Sequence, residues 1–232
     1  MTPNPRTDTA SPTPGTAAWD LLPAAKQQQI MDAAVDEFAA RGYSGASMNA
    51  LVKAAGISKG SLFHYFRTKG GLFEGIVDTA FGQVKARVKA VRDDTAGRPL
   101  AERLEHLLHT GFDFVSEHPR LAGIYFRVLR SGDAPFGLHR VEELGRHSRR
   151  FLAELITQAR EGGEIDPDVD VERTAWLIDA MMERLLAAWH DGQLAADRQP
   201  DRRDAERRAW TAAFGELVRH GLTPTAKEGD HV

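Results

Sequence analysis

Residues 47–69, SMNALVKAAGISKGSLFHYFRTK, decide the fold. Two short stretches of helical pattern flank Gly56, and a serine that can cap a helix stands before each of them, Ser47 and Ser58. The apolar side chains that would pack the two helices together are Leu51, Val52, Ile57 and Leu62. This spacing predicts a helix-turn-helix over residues 47–66, an arrangement whose second helix enters the major groove of DNA.

The helical pattern extends in both directions from this segment. Residues 24–41 repeat apolar side chains four positions apart and end at Gly42. A long fourth helix is predicted to begin at Lys69, where Thr68 can cap it. Further helices are predicted at about residues 100–117, 120–130, 138–161, 171–189 and 203–220. The predicted fold class is all-α: a three-helix N-terminal module joined by the long fourth helix to a helical-bundle body.

Composition and charge limit the class of protein. The 232 residues contain no cysteine, which excludes disulfides and thiolate metal sites. No apolar run approaches the ~20 residues of a membrane span, and the N-terminus lacks a secretory pattern, so a cytoplasmic location without membrane contact is expected. The net charge is −3, but residues 24–70 hold six basic and three acidic residues (+3), which leaves −6 elsewhere. A positive module attached to an acidic body is consistent with a protein that contacts the phosphates of nucleic acid at one end only. The alternative is that the basic residues cluster in this segment by chance.

The sequence contains no motif typical of catalysis or of a bound metal. Glu102, Glu105, His106 and His109 have helical spacing, but they lack a known ligand pattern and are interpreted as a solvated charged face. The Gly-x-Ser-x-Gly string at residues 56–60 lies between two predicted helices and lacks the preceding strand of a nucleophile elbow. The paired glycines likewise lack the preceding strand of a phosphate-binding loop. We therefore predict no catalytic residue, no metal and no cofactor.

The stretch AARGYSGASMNALVKAAG, continued by ISKGSLFHYFRTKGGLF, resembles the tetracycline-repressor family. The resemblance consists of a glycine-aromatic pair after the first helix, the turn Ala-Ala-Gly-Ile-Ser, an aromatic-rich second helix, and Lys69 with Leu72 and Phe73. The resemblance covers about residues 26–81, whereas the body resembles the family only in its general helical pattern. It implies a homodimeric regulator that binds double-stranded DNA and is not an enzyme.

Family resemblance and local chemistry both single out the start of the second helix. Ser58, Lys59, Gly60 and Ser61 form an uncrowded, donor-rich N-terminus suited to phosphates and base edges. The resemblance implies base contacts for the last three, and it places Asn49 where a first-helix residue reaches a base or the backbone.

Further positions follow from the resemblance alone. Phe63 and Tyr65 stand where rings press on the sugar-phosphate backbone, although a tyrosine is usual at the first of these positions. Ser47 and Lys69 stand at helix N-termini near phosphates. His64 can face either the bases or the fourth helix.

The domain boundaries are predicted from composition and from the resemblance together. Residues 1–20, rich in Pro and Thr, are predicted to be a disordered tail. The DNA-binding domain is predicted at residues 23–83, the ligand-binding and dimerisation domain at residues 84–222, and a second tail at residues 223–232.

Two apolar stripes near the C-terminus indicate dimerisation. They consist of Val171, Ala175, Ile178, Met182, Leu185 and Trp189, and of Trp210, Phe214, Leu217 and Gly221. Two copies of such a helix pair form a four-helix bundle between subunits. The alternative is that both stripes pack on their own chain.

The body is predicted to hold a small, largely apolar effector. Its candidate contacts are Phe112, Tyr125, Phe126, Trp176 and Met181, with plain core packing as the alternative. The expected function is repression at a near-palindromic operator, bound by two recognition helices about 34–36 Å apart and released by the effector. The alternatives are an activator, a regulator without effector, and a helical ligand-binding protein or enzyme with a vestigial helix-turn-helix.

Overall fold

The computed structural model describes residues 17–134, 137–194 and 199–222, and all regular secondary structure in these ranges is α-helical. The helices are α1 (Ala17–Asp20), α2 (Ala24–Gly45), α3 (Met48–Ala54), α4 (Lys59–Phe66), α5 (Lys69–Asp94), α6 (Leu100–Glu117), α7 (Pro119–Ser131), α8 (Gly137–Glu161), α9 (Val171–His190) and α10 (Pro200–Leu222). The predicted all-α class is confirmed. None of these helices is long and apolar enough to cross a membrane.

The described residues form two compact units. The first comprises residues 17–80 with Ala134, and the second comprises residues 81–133, 137–194 and 199–222. The boundary falls between Ala80 and Phe81, so α5 belongs to both units. The first unit contains the helix-turn-helix, and the second contains the helices of the body.

The last four residues of the N-terminal tail predicted over residues 1–20 are helical in the structure. Residues 1–16 and the second predicted tail, 223–232, lie outside the described residues. Ala17–Asp20 form a helical turn, and Trp19 is only 9% exposed. The Trp19 ring packs on Phe66 with ring centroids 4.7 Å apart, and burial of this large apolar side chain orders the segment.

The core of the first unit forms from one face of α2. Ile30, Ala34 and Phe38, four residues apart, are buried as predicted. The Phe38 ring meets Phe73 of α5 edge-on, with centroids 5.1 Å apart. The helical conformation breaks at Gly42, whose φ of 70° and ψ of 177° suit a residue without a Cβ. The predicted end of the first helix at this glycine therefore corresponds to a kink.

In the second unit, α6 contacts α7, α8, α9 and α10. Its inward face carries Leu104, Leu108 and Phe112, all fully buried. Its N-terminus is capped from outside the helix, because the Leu100 N–H donates to the Glu164 carboxylate at 2.5 Å. These contacts make α6 the central helix of this unit.

The predicted stripe of α9 largely faces the interior of its own unit, whereas in the predicted stripe of α10 Phe214 is buried and Trp210, Leu217 and Gly221 are exposed. Ala175, Ile178, Trp189 and Phe214 are buried in its core, which is the alternative that the sequence left open. The large apolar side chains that remain exposed on α9 and α10 are Trp176, Leu177, Trp210 and Leu217. For α9 the prediction failed because this helix is apolar on more than one side, so periodicity alone does not determine which side turns inward.

Candidate nucleic-acid interface

The helix-turn-helix forms as its caps predict. The hydroxyl of Ser47 accepts from the Ala50 N–H at 3.3 Å, and the hydroxyl of Ser58 accepts from the Ser61 N–H at 3.0 Å. Between the two helices Gly56 has a φ of 58°, in the left-handed region that favours glycine. The turn thus depends on local residues whose roles are readable from the sequence.

Helix α2 holds α3 at both ends. The ammonium of Lys26 donates to the carbonyl oxygens of Ala55 at 3.0 Å and Gly56 at 3.3 Å. These carbonyls follow the C-terminus of α3, where a cation interacts favourably with the helix dipole. At the other end the Ser47 N–H donates to Glu37 at 2.7 Å. From the sequence, Lys26 contributed only to the positive charge of the segment. Its role in holding the C-terminal end of α3 was not predictable, because the carbonyl partners lie 29 and 30 residues away.

The recognition helix α4 turns one side toward solvent. Leu62 and Phe66 are buried, while Ser61, Phe63 and Tyr65 are half-buried. The exposed positions on and beside this helix are Ser58, Lys59, Gly60, His64 and Arg67, and Asn49 is exposed on α3. His64 lies four residues after Gly60 on the exposed side, which answers the question that the sequence left open about its direction.

Gly60 has no structural requirement within the protein. A Cβ built there would meet only the Ser58 hydroxyl, at an ordinary contact distance of 3.7 Å. A glycine so near a helix N-terminus lowers helix stability relative to alanine without relieving any internal crowding. The absence of a side chain at Gly60 leaves the backbone of the outer face open to close approach.

Lys69 binds within the first unit. Its ammonium donates to the carbonyl oxygens of Ala46 at 2.8 Å and Ser44 at 3.4 Å, and lies 5.0 Å from the centre of the Tyr43 ring. These contacts join the start of α5 to the connection between α2 and α3. The structure therefore gives Lys69 a stabilising role that the resemblance did not imply.

The C-terminal end of α4 is a strained turn. Arg67 has φ 60° and ψ −46°, and among the described residues it is the one non-glycine with positive φ. The Thr68 N–H donates to the Phe66 carbonyl at 2.6 Å, so Phe66–Thr68 form a γ-turn of the rare, strained kind. The Thr68 hydroxyl then accepts from the Gly71 N–H at 2.9 Å and caps α5 as predicted.

The five candidate effector contacts in the body fall into three environments. Phe112 and Phe126 belong to the buried core, where the Phe112 ring packs on Trp189 at 4.9 Å. Met181 and Tyr125 are half-buried beside that core. Trp176 is 58% exposed and lies outside that core, so the burial of this unit does not support its predicted place in a cavity wall. It points away from the core because Ala175, its neighbour along α9, points inward.

Tyr125 takes part in a buried polar contact that the sequence did not reveal. Its hydroxyl donates to the Glu183 carboxylate at 3.3 Å. Burial raises the pKa of Tyr125 and also that of Glu183, because low-dielectric surroundings disfavour both charged forms. In the described part of the chain, no three His, Asp or Glu side chains are placed to hold a metal ion.

Comparison with known proteins agrees with this geometry. Residues 30–76 match the family model for bacterial regulatory proteins of the tetR family. The transcriptional repressor KstR2 of Mycobacterium tuberculosis H37Rv is 26% identical over 147 residues, which are 63% of this chain and 72% of that protein. The fatty acid metabolism regulator of Bacillus subtilis is 23% identical over 165 residues, 71% of this chain and 83% of that protein.

Solved structures share the fold. FadR from Bacillus halodurans, a fatty acid degradation regulator, superimposes with a TM-score of 0.68 at 20% identity, covering 87% of this chain and 98% of its own. FadR from Bacillus subtilis, solved in complex with stearoyl-CoA, gives a TM-score of 0.67 at 19% identity, covering 84% and 98%. At these identities the similarity concerns the arrangement of the helices.

Proposed function

We propose that this chain, which belongs to the tetR family of bacterial regulatory proteins, represses transcription by binding a near-palindromic operator as a homodimer. The observation that carries the proposal is the outer face of α4. This face is exposed and rich in donors, and no acidic residue occurs anywhere in segment 47–69. Phosphate repels carboxylates and attracts such a face.

The start of α4 supplies the contacts. The first intrahelical hydrogen bond of α4 is donated by the Leu62 N–H to the Ser58 carbonyl. The N–H groups of Lys59 and Gly60 come before this donor, so they have no intrahelical acceptor and point out of the helix N-terminus, where anions bind. The Ser58 and Ser61 hydroxyls lie 2.8 Å apart, so they act as one hydrogen-bonding pair. Lys59 adds a flexible cation, and His64 continues the exposed side one turn later. We assign phosphate and base-edge contacts to this group.

Dimerisation is assigned to a face that combines the exposed part of the predicted α10 stripe with two α9 residues outside the predicted α9 stripe. Trp176 and Leu177 on α9, and Trp210 and Leu217 on α10, are exposed apolar side chains on helices that both pack on α6. Exposed tryptophans and leucines are typical of interfaces. A second copy is the occupant, because one helix-turn-helix recognises only a half-site and a near-palindromic operator requires two related by a twofold axis.

The effector is proposed to be an acyl-CoA or a similar molecule with a large apolar part. Support comes from the helical body, whose fold is shared with the regulator solved with stearoyl-CoA. α5 belongs to both units and is the covalent connection through which an effector would act. A coupling free energy of about 1–3 kcal/mol would lower operator affinity roughly 5–150-fold.

Selection of bound duplexes from random-sequence DNA by the full chain tests the proposal. We expect an inverted repeat whose half-site centres lie about one helical turn apart or a multiple of that distance. Affinity should fall steeply with salt, since phosphate contacts release counterions. Enrichment of no sequence would contradict the proposal.

Stearoyl-CoA, with coenzyme A as the matched control, then tests the effector separately. Release of the selected duplex by stearoyl-CoA but not by coenzyme A supports an acyl-CoA effector. Equal DNA affinity with and without it excludes this effector and leaves the DNA-binding function intact.

A further inference from the structure

We propose that Trp19 is a positioning residue for DNA binding: by covering Phe66 and Tyr65, it fixes the C-terminal turn of the recognition helix α4. Trp19 lies outside the residues 30–76 that match the family model. The inference rests on the proposed DNA-binding function and adds the α1 segment to the parts of the chain that perform it.

The α1 segment is held in place by hydrogen bonds to one carbonyl. The side chain of Gln27 donates to the Trp19 carbonyl oxygen at 2.8 Å, and the Leu22 N–H donates to the same oxygen at 3.0 Å. Gln27 belongs to α2, so these bonds attach the segment to the helix that also holds α3. The Trp19 indole therefore has a defined position.

The indole covers the end of α4. Its centroid lies 4.7 Å from that of Phe66 in a tilted arrangement and 6.0 Å from that of Tyr65, edge to face. Trp19 is 9% exposed, so most of its surface is in contact with the unit. Among the described residues, the buried side chains of α4 are Leu62 and Phe66, and Trp19 packs on the second of them.

Helix α4 needs this support at its C-terminal end. It has eight residues, too few for a helix to be stable by itself. Its next residue, Arg67, is held in the strained γ-turn, and strained backbone persists only where surrounding contacts impose it. The packing of Trp19 on Phe66 is one of those contacts, since the Phe66 carbonyl accepts the bond that closes the turn.

The consequence for DNA follows from the direction of the neighbouring residues. Tyr65 occupies the position where the family resemblance implies pressure on the sugar-phosphate backbone, and its ring is edge to face with Trp19. His64 and Arg67, which flank Tyr65 and Phe66 along the chain, are exposed. Loss of the indole would free Tyr65 to change rotamer and loosen the turn that orients the exposed residues.

The test compares full-length variants on the duplex selected by the wild type. Trp19→Ala is expected to weaken binding about 5–50-fold at a temperature where circular dichroism shows it fully folded. Trp19→Phe keeps an aromatic ring and should restore most of the affinity. Leu21→Ala is the matched control, because Leu21 lies in the same segment but is 85% exposed. Gln27→Ala, which loosens the segment without touching the ring, should give a smaller loss.

Two readouts separate positioning from general stability. In a double-mutant cycle, Trp19→Ala and Tyr65→Ala should be non-additive, because the first acts through the second. Hydrogen exchange should rise at Tyr65, Phe66 and Arg67 and not in the second unit. Wild-type affinity in folded Trp19→Ala, or additive effects in the cycle, would overturn the inference while the DNA-binding function stands. Failure of the wild type to bind any selected duplex would instead overturn the proposed function, and this inference with it.

Discussion

The ammonium of Lys26 lies 3.0 Å from the carbonyl oxygen of Ala55, so a side chain from α2 closes the C-terminal end of α3. The first turn of α2 and the turn of the helix-turn-helix are thereby joined directly. The contact lies where the chain leaves α3 toward α4. It is independent of DNA, and its contribution can be measured as stability.

Lys26→Met keeps the aliphatic length and removes the charge. We expect a loss of about 1 kcal/mol of stability, since a cation at a helix C-terminus contributes an amount of this order. Lys85→Met is the control, because Lys85 is exposed in the interior of α5, away from both ends of that helix. Hydrogen exchange at Gly56 and Ile57 measures the effect, and equal exchange in the two variants would show that the Lys26 contact does not stabilise the turn.

Lys59→Ala should weaken binding to the selected duplex by about 1–3 kcal/mol while leaving the melting temperature unchanged. The reason is that Lys59 is exposed at the N-terminus of the recognition helix. If it contacts a phosphate, the salt slope falls by about one and all sequences are affected alike. Lys85→Ala removes the same charge from the exposed side of α5 and should leave the affinity unchanged. Equal affinities for the two variants, measured by fluorescence anisotropy, would contradict the assignment.

Gly71 and Gly82 form a matched pair within α5. A Cβ at Gly71 would lie far too close to the backbone carbonyl oxygen of Phe66, whereas a Cβ at Gly82 would meet nothing within 4 Å. Gly71→Ala should therefore destabilise the first unit by about 1–3 kcal/mol, as overpacking does. Gly82→Ala should stabilise the helix by about 0.5–1 kcal/mol. Thermal unfolding distinguishes these results, and similar shifts for both variants would refute the close approach at Gly71.

Leu177 and Ile178 are neighbours on α9 with opposite exposure, 57% and 2%. Leu177→Asp places its charge in solvent, so the chain should fold and sediment as a monomer if this face forms the dimer. Ile178→Asp buries an unpaired charge and should unfold or misfold the second unit. Sedimentation and circular dichroism at micromolar concentration test both. If the Leu177→Asp variant is still a dimer, the dimer interface lies on another face of the protein.

Much of the DNA-binding unit was predictable because its determinants are local. The caps at Ser47 and Ser58 and the positive φ at Gly56 depend on residues within a few positions of one another. The buried stripe of α2 followed from a spacing of four. The assignments of DNA contacts to Lys59, Gly60 and Ser61 remain predictions.

Other features required the tertiary structure. Lys69 binds carbonyls 23 and 25 residues away, and Trp19 packs on a helix far along the chain, so no local pattern indicated either contact. The exposure of Trp176 likewise depended on which side of α9 the neighbouring helices cover.

By itself, the sequence determined the helices, their caps and the helix-turn-helix, because backbone hydrogen bonds and side-chain periodicity act within one or two turns. Only the tertiary structure decided which side of α9 is buried. Ala175 and Ile178 face the core while Trp176 and Leu177 face solvent, and all four are apolar. The choice between such faces is made by the shape of the helices packed against them, since hydrophobic burial is non-directional and depends on the area that neighbouring elements cover.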